Sequence, residues 1–387
     1  MGEQQILSSS LERLQSFIER EHYKGYDPYD ALKSPLFRLP FFKSNKLIRF
    51  GVQQLVKRSS LNLRPFLFVP KGLNPVTLGL CIQAYSELCG IYPDKKNEYL
   101  TKINQLISEL KKLIPQGFKG ACWGYDFDWE ARYAKIPAYQ PTVVATGIIT
   151  NSLYIAWKLT GNEEALSLCK SAGEFVLNDL NRTYDTQNNF CFSYSPFDKQ
   201  VVFNASMKGA RLLAQLYEAT GKEEFKNVAH SAVAFVMNHQ REDGAWIYST
   251  SDAGTWVDNY HTGYVLDCLH EYQQCCNDYK WKAQMEKGVG YYLNNFFEDD
   301  GMPKFYDKKA FPVDCTAAGQ SLLTLSRFDY SEKALAVATY MSMNMQDENG
   351  GFYFRKYKNH TEKISFMRWS NAWMFAGMAT LLKKFVQ

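Results

Sequence analysis

Two kinds of helical run alternate along this chain. The first is apolar on nearly every side, at 79–90 (GLCIQAYSELCG), 147–161 (GIITNSLYIAWKLTG), 210–221 (ARLLAQLYEATG), 264–276 (YVLDCLHEYQQCC), 320–328 (QSLLTLSRF) and 378–385 (MATLLKKF). The second is more charged and one-sided, and follows all but the last, at 99–114, 163–180, 223–240, 280–297 and 331–346. A helix apolar all round is buried, whereas one with a single apolar stripe lies on a surface, so each pair predicts a hairpin of one inner and one outer helix. The turns KLTGNEEA and EATGKEEF place glycine at a helix C-terminus and acids at the next N-terminus, where each is favoured.

The apolar runs align on Gly79, Gly147, Gly209, Gly263, Gly319 and, more loosely, Gly377, spaced 54 to 68 residues apart. Five residues before the first five glycines stand Asn74, Thr142, Asn204, Asp258 and Asp314, and Asn371 stands six before the last. Side-chain oxygens of these residue types cap the free N–H groups of a helix start. Between hairpins recurs a turn followed by alternating aromatics (KGACWGYDF, NNFCFSYSP, DGAWIYSTS, DGMPKFYD, NGGFYFRK), which predicts short strands or hairpins. That makes six inner and five outer helices, with an N-terminal helix near 6–22 or 45–58 to supply the twelfth. Repeated hairpins stack open or close on themselves, and the C-terminal SNAWMFAGMATLLKKFVQ has none of the polarity of a solenoid cap. The expected fold is all-α, an (α/α)6 toroid of six helical hairpins with short β-hairpin loops at one rim. Residues 1–70 form an N-terminal helix and an irregular basic leader packing on the ring, residues 71–387 the toroid, in one structural domain overall.

A net charge of +4 over 387 residues is close to neutral and argues against a dedicated nucleic-acid binder. The N-terminus lacks the layout of a signal peptide, and no apolar run reaches a membrane span. Cysteines sit mostly inside apolar runs (Cys81, Cys89, Cys169, Cys268, Cys275, Cys276) with no CxxC pair, which fits reduced thiols and a cytoplasmic location. No Walker loop, dinucleotide fingerprint, serine elbow or convincing metal spacing is present, so neither cofactor nor metal is expected. Lys43, Lys46, Arg49, Lys57, Arg58, Arg64 and Lys71 make the leader basic. The amphipathic SNKLIRFGVQQLVKRS within it either packs on the ring or touches an anionic membrane surface.

On D258NYHTGYVLDCL, Q240REDGAW, Q346DENGGF and W123GYDFDWEARY with the following PTVVATG, the chain resembles the six-hairpin glycosidase-like toroids over about residues 70–387. It looks most like the epimerase-like toroids of bacterial surface-polysaccharide clusters, including the helical domain of glucuronyl C5-epimerases. The resemblance implies a carbohydrate-active enzyme and leaves hydrolase, lyase and epimerase chemistry open. The Q-x-x-x-G-x-W/F spacing also resembles the repeat of terpene cyclases and prenyltransferase β-subunits. Against this, Trp129 stands where a further acid is expected after Asp126 and Asp128, and Asp314, Cys315 and His360 are only a loose echo of the zinc set.

In such a ring the caps of the inner helices encircle a pocket whose converging helix N-termini favour anionic groups. Trp123, Tyr125, Trp129, Tyr133, Trp246, Tyr248, Trp256, Tyr353 and Trp369 are candidate sugar platforms, and Asn204, Arg368 and Asn371 candidate polar contacts. Asp126, Asp128 and Glu130 share a face in a strand register, with Arg132 beside them. They read either as a general-acid cluster, with Arg132 forking a substrate carboxylate, or as an ion-pair network that pins the loop. Asp258 and Asp314 read first as caps, and at a pocket rim such a cap can still face substrate, so both are also candidate substrate-binding residues. His261 reads as a satisfied core histidine or, with Tyr260, as a proton-transfer pair on a uronic acid. The leading expectation is an enzyme acting on an acidic, uronate-type sugar or oligosaccharide by acid/base chemistry, in surface-polysaccharide biosynthesis. A prenyl-handling toroid and a non-catalytic glycan-binding scaffold are the alternatives; the scaffold predicts rim acids all paired off in salt bridges.

Overall fold

The computed structural model describes residues 2–130, 135–250 and 254–386. Helix α1 (Glu3–Arg20) is followed by two leader helices, α2 (Pro40–Ser44) and α3 (Lys46–Arg58). Five hairpins come next: α4 (Pro75–Ile91) with α5 (Lys96–Lys112), α6 (Val143–Thr160) with α7 (Glu163–Asn178), and α8 (Phe203–Thr220) with α9 (Glu223–Met237). The fourth and fifth are α10 (Asn259–Cys276) with α11 (Lys282–Asn295) and α12 (Cys315–Arg327) with α13 (Ser331–Met345), before the last helix, α14 (Trp373–Val386).

The apolar helices touch in sequence, α4 to α6, α8, α10, α12 and α14, and α14 returns to α4. The ring is closed: an all-α (α/α)6 toroid. Helix α1 packs on α13 and α14 and completes the outer layer, so the N-terminal segment that joins the ring is Glu3–Arg20. Every residue of α4 except Gly90 is buried, as expected of a helix with apolar neighbours all round. At several of the aligned glycines a neighbouring inner helix occupies the space a side chain would need. A Cβ on Gly319 would lie 2.6 Å from the Trp373 carbonyl carbon, one on Gly377 2.5 Å from the Gly319 oxygen, and one on Gly147 2.6 Å from Lys208 Cβ. At these three positions the glycine is a packing requirement of the inner ring, whereas at Gly209 a Cβ would meet the Phe192 side chain first, at 3.1 Å.

Four of the expected caps form: Asn74, Thr142, Asp258 and Asp314 accept from Val76, Ala145, His261 and Ala317 at 3.0, 3.1, 3.0 and 3.1 Å. Asn204 and Asn371 do not cap. Helix α8 starts earlier, after Val202, whose backbone is bridged to Ser249, and Asn204 lies buried inside its first turn with Nδ2 unpartnered. Asn371 lies in a π-helical turn, Met367–Ala372, accepting from Phe352 N at 2.7 Å and donating to Ser365 and Phe366. In the first case a backbone bridge to a neighbouring loop moves the helix start, and in the second a loop N–H takes the side-chain oxygen that a cap would use.

The inter-hairpin loops carry the short strands. β1 (Trp129–Glu130) pairs with β2 (Lys135–Ile136), and β3 (Arg182–Tyr184) with β4 (Phe190–Phe192), both antiparallel. β5 (Val313–Asp314), β6 (Arg355–Lys356) and β7 (Thr361–Glu362) form a three-stranded antiparallel sheet in that order. The leader crosses the same rim. Gly25 and Gly72 exchange backbone hydrogen bonds at 3.0 and 2.8 Å, and Met367 N donates to Tyr26 O at 3.2 Å. Fully buried Arg64 anchors the leader internally, its guanidinium 2.5 Å from Asp30 and donating to Asp27 O at 2.7 Å. All nine cysteines are free thiols, and all but Cys275 are buried.

Candidate active site at the rim of the ring

Asp258 does two things at once. Its Oδ1 caps α10 through the backbone N–H of His261 at 3.0 Å, while Oδ2 accepts from the Trp256 indole at 2.8 Å and faces His261 Nδ1 at 2.6 Å. Carboxylate oxygens only accept, so this contact calls for a proton on His261 Nδ1. Among the described residues no hydrogen bond occupies Nε2. The ring is wedged between Tyr248 and Tyr260, with centroids 4.6 and 4.1 Å away, and Tyr248 stacks on Trp256 at 4.7 Å. Burial, and then the Asp258 charge, hold the Tyr260 phenol well above its ordinary pKa, so it keeps its proton. Tyr260 also meets Trp369 at 6.1 Å, and Trp369 meets Tyr29 of the leader at 5.9 Å. Tyr29 in turn meets Trp129 at 6.0 Å. The result is an aromatic rim with one carboxylate–histidine dyad in it.

Five other rim acids, Asp126, Asp128, Glu130, Asp314 and Asp27, are held by cations. Asp126 pairs with Lys33 of the leader at 2.6 Å and accepts from Asn74 at 2.8 Å. Arg49 of α3 bridges Asp128 and Glu130 at 3.0 and 3.1 Å, while Gln53 of α3 makes two hydrogen bonds to the Glu130 backbone. Asp314 pairs with Arg355 at 2.6 Å, and Asp27 holds Arg368 through two oxygens at 2.6 and 3.0 Å. Asp126, Asp128 and Glu130 thus sit in leader ion-pair networks, to which no hydrogen bond or ion pair among the described residues joins His261. Arg132 and Tyr133 lie outside the described residues.

The remaining candidates divide. Trp123 and Trp246 are core groups, buried, with indole N–H groups committed to Leu110 O at 2.9 Å and Val236 O at 3.1 Å. Tyr353 turns to Asp347 and Lys363. Tyr125 stacks on Phe127 at 5.6 Å with the Arg368 guanidinium 4.7 Å over its ring. Trp129, Tyr248, Trp256, Tyr260 and Trp369 therefore form the aromatic face beside the dyad, and Trp256 is 39% exposed.

No known protein-family profile and no curated protein sequence matches the chain. Solved structures do. A cellobiose 2-epimerase from Bacillus thermoamylovorans superposes with a TM-score of 0.63 at 12% identity, covering 82% of this chain and 90% of that one. An unsaturated glucuronyl hydrolase from Streptococcus agalactiae gives 0.59 at 11% identity, covering 100% and 93%. An α-mannanase from Bacteroides thetaiotaomicron gives 0.59 at 15%, covering 80% and 86%. The fold is the six-hairpin, glycosidase-like toroid. At these identities the likeness is one of fold.

Inside this toroid lies a second polar region, one that no sequence motif marks. A cavity of about 290 Å³ runs toward the C-terminal ends of the inner helices, lined by Gln83, Lys208, Arg211, Asp267, Gln320 and Arg327 among others. Tyr264 and Trp373, 5.5 Å apart, close its end nearest the dyad. Lys208 Nζ lies 3.3 Å over the Tyr264 ring, and burial brings its pKa down to about 7. Asp267 and Glu271 pair with Arg327 at 3.6 and 2.6 Å, whereas Arg211 has no carboxylate partner among the described residues and its Nε is unpaired. The available signal was Lys208 and Arg211 inside the otherwise apolar ASMKGARLLAQL. Among the described residues no cluster of three His, Cys, Asp or Glu is placed to hold a metal ion.

Proposed function

We propose that the protein is a carbohydrate-active enzyme that transfers protons at a carbon of an acidic, uronate-type sugar, an epimerase-type reaction. The observation that carries this is the Asp258–His261 contact at 2.6 Å within an aromatic rim. Asp258 fixes the tautomer, His261 Nε2 takes the proton beside the sugar carboxylate, and the phenol of Tyr260 returns one. Trp256, half-exposed with Tyr248 stacked behind it, offers its outer face to a sugar ring. Lys57, half-buried over the Tyr29 ring at 4.3 Å and donating to its hydroxyl at 2.8 Å, has no carboxylate partner among the described residues and suits a uronate. Hydrolysis instead requires two working carboxylates, and the loop acids are already neutralised by Lys33 and Arg49. A prenyl-handling ring would call for an uncharged aromatic lumen, and this lumen carries Lys208, Arg211, Asp267 and Arg327.

The test is incubation in D2O with a panel of uronate-containing and neutral oligosaccharides, followed by NMR for deuterium entering a ring C–H. Exchange is expected with uronates and is lost in His261→Ala. Exchange that survives this substitution would sink the assignment. One observation favours a second reading, a non-catalytic glycan-binding scaffold: Asp27, Asp126, Asp128, Glu130 and Asp314 are all ion-paired. That reading expects calorimetric binding of the same glycans by the wild type with no exchange.

A further inference from the structure

The leader that covers the rim is built inside out. From Ala31 to Ser86 the chain contains no Asp or Glu, yet it holds Lys33, Arg38, Lys43, Lys46, Arg49, Lys57, Arg58, Arg64 and Lys71. Helix α3 turns Arg49, Gln53 and Val56 inward, where Arg49 and Gln53 bind the β1 loop. Its outward stripe, four residues to a step, is Leu47 at 82% exposure, Gly51 and Leu55 at 62%. An ordinary surface helix shows the reverse polarity. The flanking segments repeat the pattern: Leu39 and Phe41 before α3, and Leu61, Phe66 and Phe68 after it, are each more than half exposed. Phe68 is also held at a φ of +54°, a left-handed conformation that costs a bulky residue energy. Leaving several Phe and Leu side chains in water while burying arginine is unfavourable unless something apolar covers them.

We propose that this leader face is a peripheral membrane-docking surface, which inserts Leu47, Leu55, Phe66 and Phe68 into the interfacial layer of an anionic lipid bilayer. Charge selects this occupant. Exposed Arg38, Lys46 and Arg58 are interspersed in sequence with the apolar side chains on a segment without carboxylates, the composition of an interfacial anchor that combines apolar insertion with attraction to anionic headgroups. A second copy of the chain fits poorly, because a two-fold contact would set this acid-free segment against itself. No helix among the described residues is long and apolar enough to cross a membrane, so the contact is one of surface insertion. The inference stands apart from the rim chemistry and does not depend on it.

Flotation of the full chain with vesicles of phosphatidylcholine alone or with 30 mol% phosphatidylglycerol tests it (~30 mol% gives a strongly anionic surface). Binding is expected only with the anionic lipid, weakening several-fold on raising salt from about 0.1 to 0.5 M. Phe66→Ser/Phe68→Ser and Leu47→Ser/Leu55→Ser lie on the outside of the fold, and each is expected to lower partitioning at least about tenfold with an unchanged far-UV spectrum. Arg38→Gln/Arg58→Gln should leave weaker binding with less salt dependence. No binding to anionic vesicles, or equal binding by the Phe and Leu variants, overturns the proposal. So does a dimer in light scattering that those variants dissociate, which would mark the face as an interface between copies.

Discussion

Removal of the Arg368 guanidinium is the sharpest test of how the leader is fastened to the ring. Arg368 sits in the turn before α14 and binds both oxygens of Asp27, which lies 341 positions earlier, with the two side chains only 7% and 6% exposed. Burial works against the charge on Arg368, but Asp27 outweighs it and holds the guanidinium above its ordinary pKa. In Arg368→Met, Asp27 keeps Tyr29 N at 3.2 Å as a donor and loses its counter-charge. Breaking one side of a buried pair costs about 3–5 kcal/mol. With an unfolding entropy of about 2 cal/mol/K per residue, roughly 0.8 kcal/mol/K for this chain, the melting temperature should fall by about 4–6 °C. Urea denaturation followed by near-UV circular dichroism, with a parallel thermal scan, measures both. A double-mutant cycle with Asp27→Leu isolates the pair, since removing both charges should recover about 2 kcal/mol or more of the summed single losses. A loss under about 1 kcal/mol in the single variant, or strict additivity in the cycle, refutes the reasoning.

Three further substitutions separate roles that coincide in the structure. Asp258→Asn keeps a cap for α10, because Asn caps as well as Asp, but it no longer anchors the His261 tautomer. Stability should change by less than about 1 kcal/mol while turnover falls about 10²-fold or more, as read by denaturation and the exchange assay together. Lys208, with its pKa lowered by burial to about 7 while Arg211, Asp267 and Cys268 also act on it, binds a proton in the unfolded chain that the folded chain lacks between pH 7 and 10.5. Stability should therefore rise with pH across that window and be flat for this group below it. Lys208→Met should remove the rise in denaturation curves taken from pH 6 to 10. Gly319→Ala drives a methyl into the Trp373 backbone, and should cost about 1–3 kcal/mol in the same denaturation measurement.

The parts legible from residues alone were those set by interactions within a few positions of one another. The 3.6-residue period and the caps at Asn74, Thr142, Asp258 and Asp314 are local and lay out the hairpins, while the recurrent glycine marks where neighbouring inner helices pack. Asn204 and Asn371 show where locality ends, since pairing across loops moved one helix start and spent the other amide on Phe352 and its neighbours. The chemistry was legible only in part. Asp258 and His261 are three residues apart on one helix start, so their contact follows from the helix geometry. The fate of Asp126, Asp128 and Glu130 does not, because Lys33 and Arg49 reach them only once the leader folds over the rim. Nor could the spacing show that Tyr264 and Trp373, on helices far apart in the chain, would meet and divide the lumen. Sequence by itself determined the hairpins and four of their cap residues, because those energies act over one helical turn. Tertiary structure decided which charges are neutralised and which are left facing a pocket, because a carboxylate's partner is set by where the whole chain brings a cation within a few ångströms.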